Sequence, residues 1–393
     1  MKHAEILHRC FRCGYCKLPG NYTDFNCPAY AAFRFETYSP GGRMWLLRAY
    51  LDKKISPTKR FQEILYSCTA CGNCVEQCVL PKIKDQLLHA FTAGKEELVI
   101  QGMVPPPIRD CLNNLQKYGN PYGIAQKKRA DWAINIDTAP FSDQEYLFFI
   151  GDVGSFDARG QEIARSVAGL LHHLGVSFGI LGTQEVSDGN EAMAMGEVDL
   201  FQLLAQQNIE RFKQLQVQKV ITLSPHGYNA LQNSYPELDA HFDIFHYSQI
   251  VAAQIHKLAF RKDLPQKRAT YHDPCYLGRH NGEYQSARNI LLAIPGIELQ
   301  EMDRHRQNAM CCGGGGGNLF TDILGHAPES ATQNRAREAL DTEAAILAVS
   351  CPVCAIMLSD AVKSLNQEDH LQVMELSEII NLRLATASQS DAI

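Results

Sequence analysis

The distribution of apolar residues changes near residue 145. Beyond that point short apolar runs alternate with segments of helical periodicity, which is typical of buried parallel strands joined by crossover helices. The predicted strands are 146–150, 176–181 and 219–223, and the predicted helices are 161–174 and 200–215. A second unit of similar length begins near Ala269, so we expect two successive α/β units of βαβ type.

Before residue 107 the pattern is helical. A turn followed by an amphipathic helix is predicted over 39–51, and further helices are predicted over 58–66 and 81–101. The run Val104-Pro105-Pro106-Pro107 predicts a stiff exit from this α-helical domain. We therefore expect three domains, covering 1–107, 145–258 and 268–385.

Composition and charge narrow the class of protein. The chain has 393 residues, 45% of them hydrophobic, and a formal net charge of −6, which indicates a globular protein of two or three domains. The sequence has no sustained basic run, which argues against nucleic acid and anionic membranes as partners. No apolar run approaches the roughly 18 residues of a membrane span. We expect a cytoplasmic protein that reaches the inner membrane only through a partner.

Fourteen cysteines in a chain of this kind indicate metal binding in preference to disulfides. Thirteen of them fall into motifs. The remaining one, Cys111, is predicted to be a small buried hydrophobe.

Two cysteine groups in the first hundred residues share a spacing used by ferredoxins. In ferredoxin-type pairs, three close cysteines hold one cluster and a remote fourth cysteine ligates the other cluster. This rule predicts one [4Fe–4S] cluster on Cys10, Cys13, Cys16 and Cys78, and a second on Cys27, Cys68, Cys71 and Cys74. Zinc modules use separated pairs instead of triplets, so zinc is disfavoured.

Details of this region depart from the usual ferredoxin spacing. Ten residues separate Cys16 from Cys27, so the insert 17–26 is expected to loop out. Arg43 and Arg48, on the predicted helix between the two groups, are candidates to donate to cluster sulfur or to a partner's carboxylate, or are solvated helix charges.

Five further cysteines lie in the last third of the chain, in three places. They are Cys275, the pair Cys311-Cys312 and the motif Cys351-Pro352-Val353-Cys354. A vicinal pair seldom forms a disulfide, and five thiolates exceed the four of a structural zinc site, so the set predicts an iron–sulfur site. The glycines 313–317 let backbone approach the site and supply amides to sulfur. Phosphate binding and thiol redox or zinc chemistry remain the alternatives, although no Lys-Ser or Lys-Thr follows the glycines.

The two predicted α/β units form a quasi-repeat. Asp152 precedes Cys275 by 123 residues, Ser187-Asp188 precedes Cys311-Cys312 by 124, and Ser224-Pro225-His226-Gly227 precedes the Cys351 motif by 127. The five cysteine positions of the second unit therefore correspond to Asp152, Ser187, Asp188, Ser224 and Gly227 in the first. With no thiolate, the first unit is expected to bind no cluster. A degenerate packing copy is favoured over a hard-metal site on Asp152 and Asp188.

The motifs His272-Asp273-Pro274-Cys275, Cys311-Cys312-Gly313 and Cys351-Pro352-Val353-Cys354 closely resemble the cysteine-rich CCG domain. With the cysteine groups in front, the chain resembles the catalytic subunit of two-subunit heterodisulfide reductase. It is also similar to bacterial relatives, which include the iron–sulfur subunit of the membrane complex associated with dissimilatory sulfite reductase and partners of electron-transferring flavoprotein. The run Ser39-Pro40-Gly41-Gly42-Arg43 is similar to iron–sulfur subunits of glycolate oxidase and anaerobic glycerol-3-phosphate dehydrogenase.

The resemblance implies two cubane clusters that feed a further [4Fe–4S] cluster in the CCG domain. In heterodisulfide reductases that cluster is noncubane, bound by five cysteines, and the place of disulfide chemistry. Its ligands here would be Cys275, Cys311, Cys312, Cys351 and Cys354. The implied partners are other redox subunits, of the membrane cytochrome b, electron-transferring flavoprotein or flavin dehydrogenase type. The implied substrate is a small thiol or disulfide, or else a protein.

Three hypotheses follow. The leading one is an oxidoreductase subunit of anaerobic respiration that exchanges electrons with a redox complex. The second is a complete disulfide reductase, and the third makes the CCG half a docking module. His272, His280 and His305 flank the five cysteines and are candidates for proton movement, but ordinary surface or capping roles are favoured.

Overall fold

In a computed structural model, residues 1–21, 24–261, 263–325 and 329–385 are described. The first hundred of these residues are helical, with short helices around the cysteine loops. The helices are α1 (Ala4–Leu7), α2 (Pro28–Phe33), α3 (Pro40–Leu51), α4 (Lys59–Tyr66), α5 (Asn73–Gln77), α6 (Pro81–Lys84), α7 (Leu87–Ile100) and α8 (Pro106–Tyr118).

The first α/β unit is a four-stranded parallel sheet with strand order β2-β1-β3-β4. Helices follow each of its strands, as the alternation of apolar runs predicted. Its elements are β1 (Tyr146–Phe149), α9 (Gly151–Phe156), α10 (Ala158–His173), β2 (Phe178–Gly179), α11 (Asn190–Ala194), α12 (Val198–Gln214), β3 (Lys219–Thr222), α13 (Pro225–Asn229), β4 (Asp243–His246) and α14 (Tyr247–Gln254).

The second unit repeats this topology, with strand order β6-β5-β7-β8 and all pairs parallel. The prediction of two βαβ-type units is confirmed. The elements are β5 (Lys267–Tyr271), α15 (Ser286–Ala293), β6 (Ile297–Leu299), α16 (Asn318–Thr321), α17 (Ala331–Leu340), β7 (Ile346–Val349), α18 (Pro352–Ser364), β8 (Gln372–Glu375) and α19 (Leu376–Arg383).

Three local predictions in the N-terminal region were wrong. The proline run is more than a linker, because Pro106 and Pro107 form the first turn of α8. Backbone N–H groups in the first turn of a helix have no partner within the helix, so proline loses no hydrogen bond there. The predicted helix 81–101 is broken into α6 and α7. The predicted turn at Pro40-Gly41-Gly42 is helical, with Ser39 as N-cap, and this end of α3 is buried on all sides instead of amphipathic.

The two α/β units share one apolar core. Buried residues of both sheets, among them Phe148 and Ile221 of the first and Leu347 and Ala348 of the second, belong to a single contact cluster. Helix α10 packs against α18 and α19, where Arg159 Nη2 lies 2.6 Å from Glu378 Oε2. Buried residues of the N-terminal helices and of the first unit form a second apolar cluster, in which Cys111 is buried, as predicted. The N-terminal helices also contact the second unit, where α8 packs against α16 and α2 packs against α17.

Candidate metal centres

The first cysteine site, defined as Cys10, Cys13, Cys16 and Cys78, forms around one cavity. All four residues line it, although Cys78 is 62 residues distant from Cys16 in sequence. Leu80, Ile83 and Leu87 close its apolar wall. Cys13 is exposed and the other three cysteines are half-buried, so this is the most accessible of the cysteine sites.

The second cysteine site, defined as Cys27, Cys68, Cys71 and Cys74, lines a neighbouring cavity. Cys16 lines both cavities, so the two sites adjoin. Burial raises the pKa of Cys27 to about 11, with Arg43 opposing that rise. The pKa values of Cys71 and Cys74 are also raised, with burial among the causes. Four convergent thiols in so dry a site suit a cationic iron centre, which would compensate the charge of the thiolates.

Asparagine side chains and Arg43 hold the loops of these two sites. Asn73 donates to the carbonyls of Cys16 and Leu18, and its own carbonyl accepts from Asn26 at 2.6 Å. The insert after Cys16 is closed at its base, where Asn26 N donates to Lys17 O at 2.7 Å; positions 22 and 23 lie outside the described residues.

The solvated-charge interpretation of Arg43 was wrong. Its guanidinium is buried at the second site and donates to Ile64 O and to Ser67 Oγ, each at 2.8 Å. Arg48 stays half-exposed, stacked over Trp45.

The third cysteine site gathers the five cysteines of the second unit, all of them buried. The thiols touch in a row: Cys275 contacts Cys311, Cys311 contacts Cys312, Cys312 Sγ lies 3.3 Å from Cys354 Sγ, and Cys354 contacts Cys351. Hydrogen bonds from neighbouring sulfurs hold the pKa of Cys312 low, and the same contacts hold the pKa values of Cys311 and Cys354 high. The set stands at the carboxyl ends of β5 and β7, where ligands bind in parallel sheets.

A buried histidine joins the third site. Ligand atoms of His272, Cys312 and Cys354 lie within 4.8 Å of one another. Burial lowers the pKa of His272, and Arg335 Nε donates to its Nδ1 at 3.0 Å. The surface-or-capping expectation was therefore wrong for His272. His280, half-buried, donates from Nε2 to Ala70 O at 2.8 Å, and His305 makes a local bond to Met302 O.

The glycine run is the junction between the second and third sites. Gly313 N donates to Cys311 Sγ at 3.3 Å, so this amide bonds a cysteine sulfur; bonds from the glycine amides to inorganic sulfur stay a prediction. A side chain on Gly315 or Gly316 would collide with the backbone of Cys68 and Thr69. Because these glycines have no side chains, the loop of the second site can pack against the glycine run, which also contacts the third site.

At this junction the two sites touch. The side chains of Cys71 and Cys311 form a hydrogen bond, and both belong to one buried cluster with Cys275 and Tyr276. Arg279 donates from Nε to Cys71 O at 2.7 Å and lies near the sulfurs of both sites. The sequence separated these cysteines by 240 residues and gave no sign of the contact.

The corresponding positions of the first unit converge in the same way. Asp152 and Ser187 are hydrogen-bonded, as Cys275 and Cys311 are. A side-chain carbon built on Gly227 would lie 3.3 Å from Asp188 Oδ2, which parallels the contact of Cys354 with Cys312. Burial raises the pKa of Asp188 to about 7.

An arginine that precedes the first unit in sequence pairs with the buried carboxylates at these positions. Arg129 is buried, with Nη2 2.7 Å from Asp152 Oδ1 and Nη1 3.2 Å from Glu185 Oε1. Glu185 also accepts from the amides of Ile150 and Gly151. The carboxylates are already satisfied by a guanidinium and amides, which favours the packing interpretation over a hard-metal site.

Two further side chains of the first unit face the third site, and the sequence analysis missed them as a pair. His226 Nδ1 lies 2.6 Å from Glu191 Oε1, and the His226 side chain is hydrogen-bonded to Cys351. Burial lowers the pKa of His226, but the contacts with Cys351 and Glu191 outweigh it and the net shift is upward. The position of His226 inside the motif Ser224-Pro225-His226-Gly227 was the available signal for the histidine.

Known protein families match both parts of the chain. The cysteine-rich CCG domain matches residues 152–232 and 269–359, and the 4Fe-4S dicluster domain matches residues 6–80. The first CCG match covers the unit that has no cysteine at the five ligand positions.

Individual proteins with similar sequences are named as oxidoreductases or reductases. The chain is 34% identical over 335 residues to the probable iron-sulfur-binding oxidoreductase FadF of Bacillus subtilis, covering 81% of this chain and 46% of the relative. It is 32% identical to the EtfAB:quinone oxidoreductase of Syntrophomonas wolfei, with 81% and 46% covered. It is 28% identical over 401 residues to one of the subunits of the dihydromethanophenazine:CoB--CoM heterodisulfide reductase of Methanosarcina barkeri, with 95% and 93% covered.

The chain spans about half the length of the first two relatives and nearly all of the third. Within the described residues, none of the helices combines the length and apolar character needed to cross a bilayer.

Proposed function

We propose that this chain is the electron-transfer subunit of a heterodisulfide-reductase-like oxidoreductase complex. In this proposal it carries two cubane [4Fe–4S] clusters and one further [4Fe–4S] cluster, which the matches to the 4Fe-4S dicluster domain and the CCG domain support. The first and second cysteine sites hold the cubanes and the third site holds the further cluster. Bound clusters of this type supply electron transfer over a wide range of potentials. The proposed domains are 1–107, 145–258 and 268–385.

The observation that carries this proposal is the continuity of the three sites. Cys16 lines the cavities of the first and second sites, and Cys71 of the second contacts Cys311 of the third. Exposure decreases along the same line, from exposed Cys13 to the buried five cysteines. A redox partner reaches the first site, and the third site is shielded from water.

Positively charged side chains lie beside the second and third sites, where they would stabilise anionic clusters. Arg43 lines the second site, and the buried Lys95 donates to the carbonyl of Cys68 at 3.4 Å. Arg279 lies close to Cys71 and Cys311. Fixed charges of this kind stabilise thiolate-bound iron in a dry interior.

The partner surface is proposed at the first site. Phe11 and Val79, next to Cys10 and Cys78 in sequence, are 63% and 53% exposed. The proposed partner is of one of the classes that the resemblance implies: a cytochrome b subunit, an electron-transferring flavoprotein or a flavin dehydrogenase.

A second candidate function is an iron–sulfur subunit of a flavin-linked dehydrogenase, or a partner of electron-transferring flavoprotein, without disulfide chemistry. The filled site of the first unit favours it. Arg129 is paired with carboxylates at the position that a second CCG cluster would take, which disfavours a mechanism in which two such clusters of one chain act on one disulfide.

Iron content and cysteine variants test the proposal. Anaerobically purified protein is expected to carry about 12 iron atoms per chain, at four per cluster. Cys27→Ser should alter the EPR signal of the cluster on Cys68, Cys71 and Cys74, because Cys27 lines that cavity. Cys111→Ala, which removes a buried cysteine remote from the motifs, is the matched control and should leave all signals intact.

Iron near eight with alkylatable Cys275 and Cys311 would show that the third site is empty. A change confined to the cluster on Cys10, Cys13 and Cys16 in Cys27→Ser would show that the crossed ligation is wrong. Reoxidation of the reduced protein by a small disulfide supports the leading function, and reoxidation by a flavoprotein alone supports the second candidate.

A further inference from the structure

Glu191 and His226 of the first unit correspond to residues of the second unit that have no polar side chain. Glu191 precedes Gly315 by 124 residues and His226 precedes Val353 by 127, the same offsets that relate the cysteine motifs. A side chain at Gly315 would collide with the backbone of Thr69. The second unit therefore has no room for a glutamate at Gly315, and it has the apolar Val353 where the first unit has His226.

The pair is buried and directed across the interface between the units. His226 is 9% exposed and Glu191 7% exposed. The carboxylate Oε1 lies 2.6 Å from His226 Nδ1 and accepts from Asn190 Nδ2 at 3.1 Å. The imidazole ring stands 4.5 Å from the ring of Tyr276, which follows the ligand Cys275. Both neighbours hold the imidazole in one orientation.

This orientation gives the second ring nitrogen a partner. Nδ1 carries a single N–H, which the carboxylate of Glu191 accepts, so Nε2 is the nitrogen available to the sulfur of Cys351, with which the side chain is hydrogen-bonded. A carboxylate on one side of the ring and an iron-bound thiolate on the other can only accept hydrogen bonds, so a ring that bonds to both presents an N–H to each. An N–H directed at a ligand sulfur raises the reduction potential of an iron–sulfur site, because it stabilises the more negative reduced state.

Building on the proposed function, we propose that the first unit completes the third site: His226, oriented by Glu191, donates a hydrogen bond to Cys351 and sets the potential of the cluster there. His226 is thus a positioning and tuning residue contributed by the unit that has lost its own thiols. The degenerate unit is then more than a packing copy.

Redox titration of the holoprotein, followed by EPR, tests the inference. His226→Leu removes the donor, and a hydrogen bond to a charged group is worth about 1.5–3 kcal/mol, so we expect the reduced fraction of the third cluster to fall at least about tenfold at fixed potential. That change is a shift of about 59 mV to lower potential for one electron. His226→Gln, whose amide N–H can replace Nε2–H, should recover most of the shift.

His280→Leu is the matched control. His280 flanks the Tyr276 ring at 4.6 Å and bonds to Ala70 O, so it tests whether packing on the tyrosine sets the potential. We expect the third cluster's potential to be unchanged in this variant. Glu191→Gln should shift the potential in the same direction as His226→Leu, because the ring loses its orienting carboxylate.

Outcomes separate this inference from the proposed function. Wild-type protein with about eight irons and no third signal overturns both. Full iron in wild type and His226→Leu, with equal third potentials, overturns the inference and leaves the proposed function standing. An equal shift in His280→Leu, or loss of iron in both His226→Leu and His226→Gln, also overturns it, since packing or folding would then explain the effect.

Discussion

The two α/β units share a frame and differ in the chemistry at its centre. In both, the central residues follow the carboxyl ends of parallel strands and converge in corresponding contacts. The second unit has five thiols there. The first has carboxylates paired with Arg129. The comparison shows that a shared backbone frame brings the corresponding side chains together, while residue type decides whether thiols or an ion pair meet there.

The two units also differ in how the charge of their buried side chains is balanced. The second unit brings five buried thiols into contact, and the proposed cluster would carry their charge as thiolates. The buried carboxylates of the first unit are paired with one guanidinium and with backbone amides, so groups of the chain itself balance their charge.

The largest expected effect comes from Cys312→Ser in the second unit. Loss of one thiolate from a buried site leaves an open iron position and unbalanced charge, and metal binding is coupled to folding. We expect the third cluster to be lost, iron to fall from about 12 to about 8 per chain, and the melting temperature to drop. Iron analysis, EPR and calorimetry measure it. Retention of all iron would mean that Cys312 is no ligand.

The next effect comes from Arg129→Leu in the first unit. Removing one partner of a buried ion pair costs about 3–5 kcal/mol, because Asp152 and Glu185 stay buried without it. The variant should therefore unfold at lower denaturant concentration and keep its iron. Arg268→Leu, which breaks an ion pair with the exposed Glu343, is the control and should cost less than about 1 kcal/mol. Iron loss in Arg129→Leu would contradict the separation of the two units' roles.

A smaller effect is expected from Ser187→Ala or Ser224→Ala. Ser224 caps α13 by accepting from His226 N at 3.2 Å, and losing such a cap costs about 1 kcal/mol. Iron content should not change. Chemical denaturation and iron analysis check both statements. If Ser224→Ala abolished electron transfer to a disulfide as fully as Cys312→Ser, with iron intact, the first unit would have kept a functional site of its own.

The smallest effect concerns the helix that follows the last strand in each unit. His246 caps α14 and Glu375 caps α19, both in capping boxes. Burial raises the pKa of Glu375 to about 8 and lowers that of His246 to about 3. Folding thus favours the protonated glutamate and the neutral histidine.

The two caps should give opposite pH dependence of stability. The Glu375 contribution is present below pH 4.5, its ordinary pKa, and is lost as pH rises to about 8; the His246 contribution is present above pH 6.5 and is lost as pH falls towards 3. Glu375→Gln should flatten the decline of the melting temperature on the alkaline side, and His246→Gln the decline on the acidic side. Thermal melts across pH measure both. Identical profiles in the two variants would contradict the assignment.

Much of this organisation was readable in the sequence. Cysteine triplets reveal iron–sulfur loops because three corners of one centre must come from a tight local turn, and the βαβ units are visible because strands buried on both faces form continuous apolar runs. The quasi-repeat was visible because corresponding motifs keep nearly constant offsets. Local chemistry of this kind needs no knowledge of distant partners.

Contacts between remote segments were decided only by the tertiary structure. The approach of Cys71 to Cys311, the insertion of Arg129 beside Asp152 and the placement of His226 on Cys351 join residues that no local pattern relates. Helix packing brings such groups together, and burial then determines their charge. The motifs therefore identified the three sites, while their continuity and the role of the first unit depend on how the chain packs, because burial and proximity are properties of the folded chain.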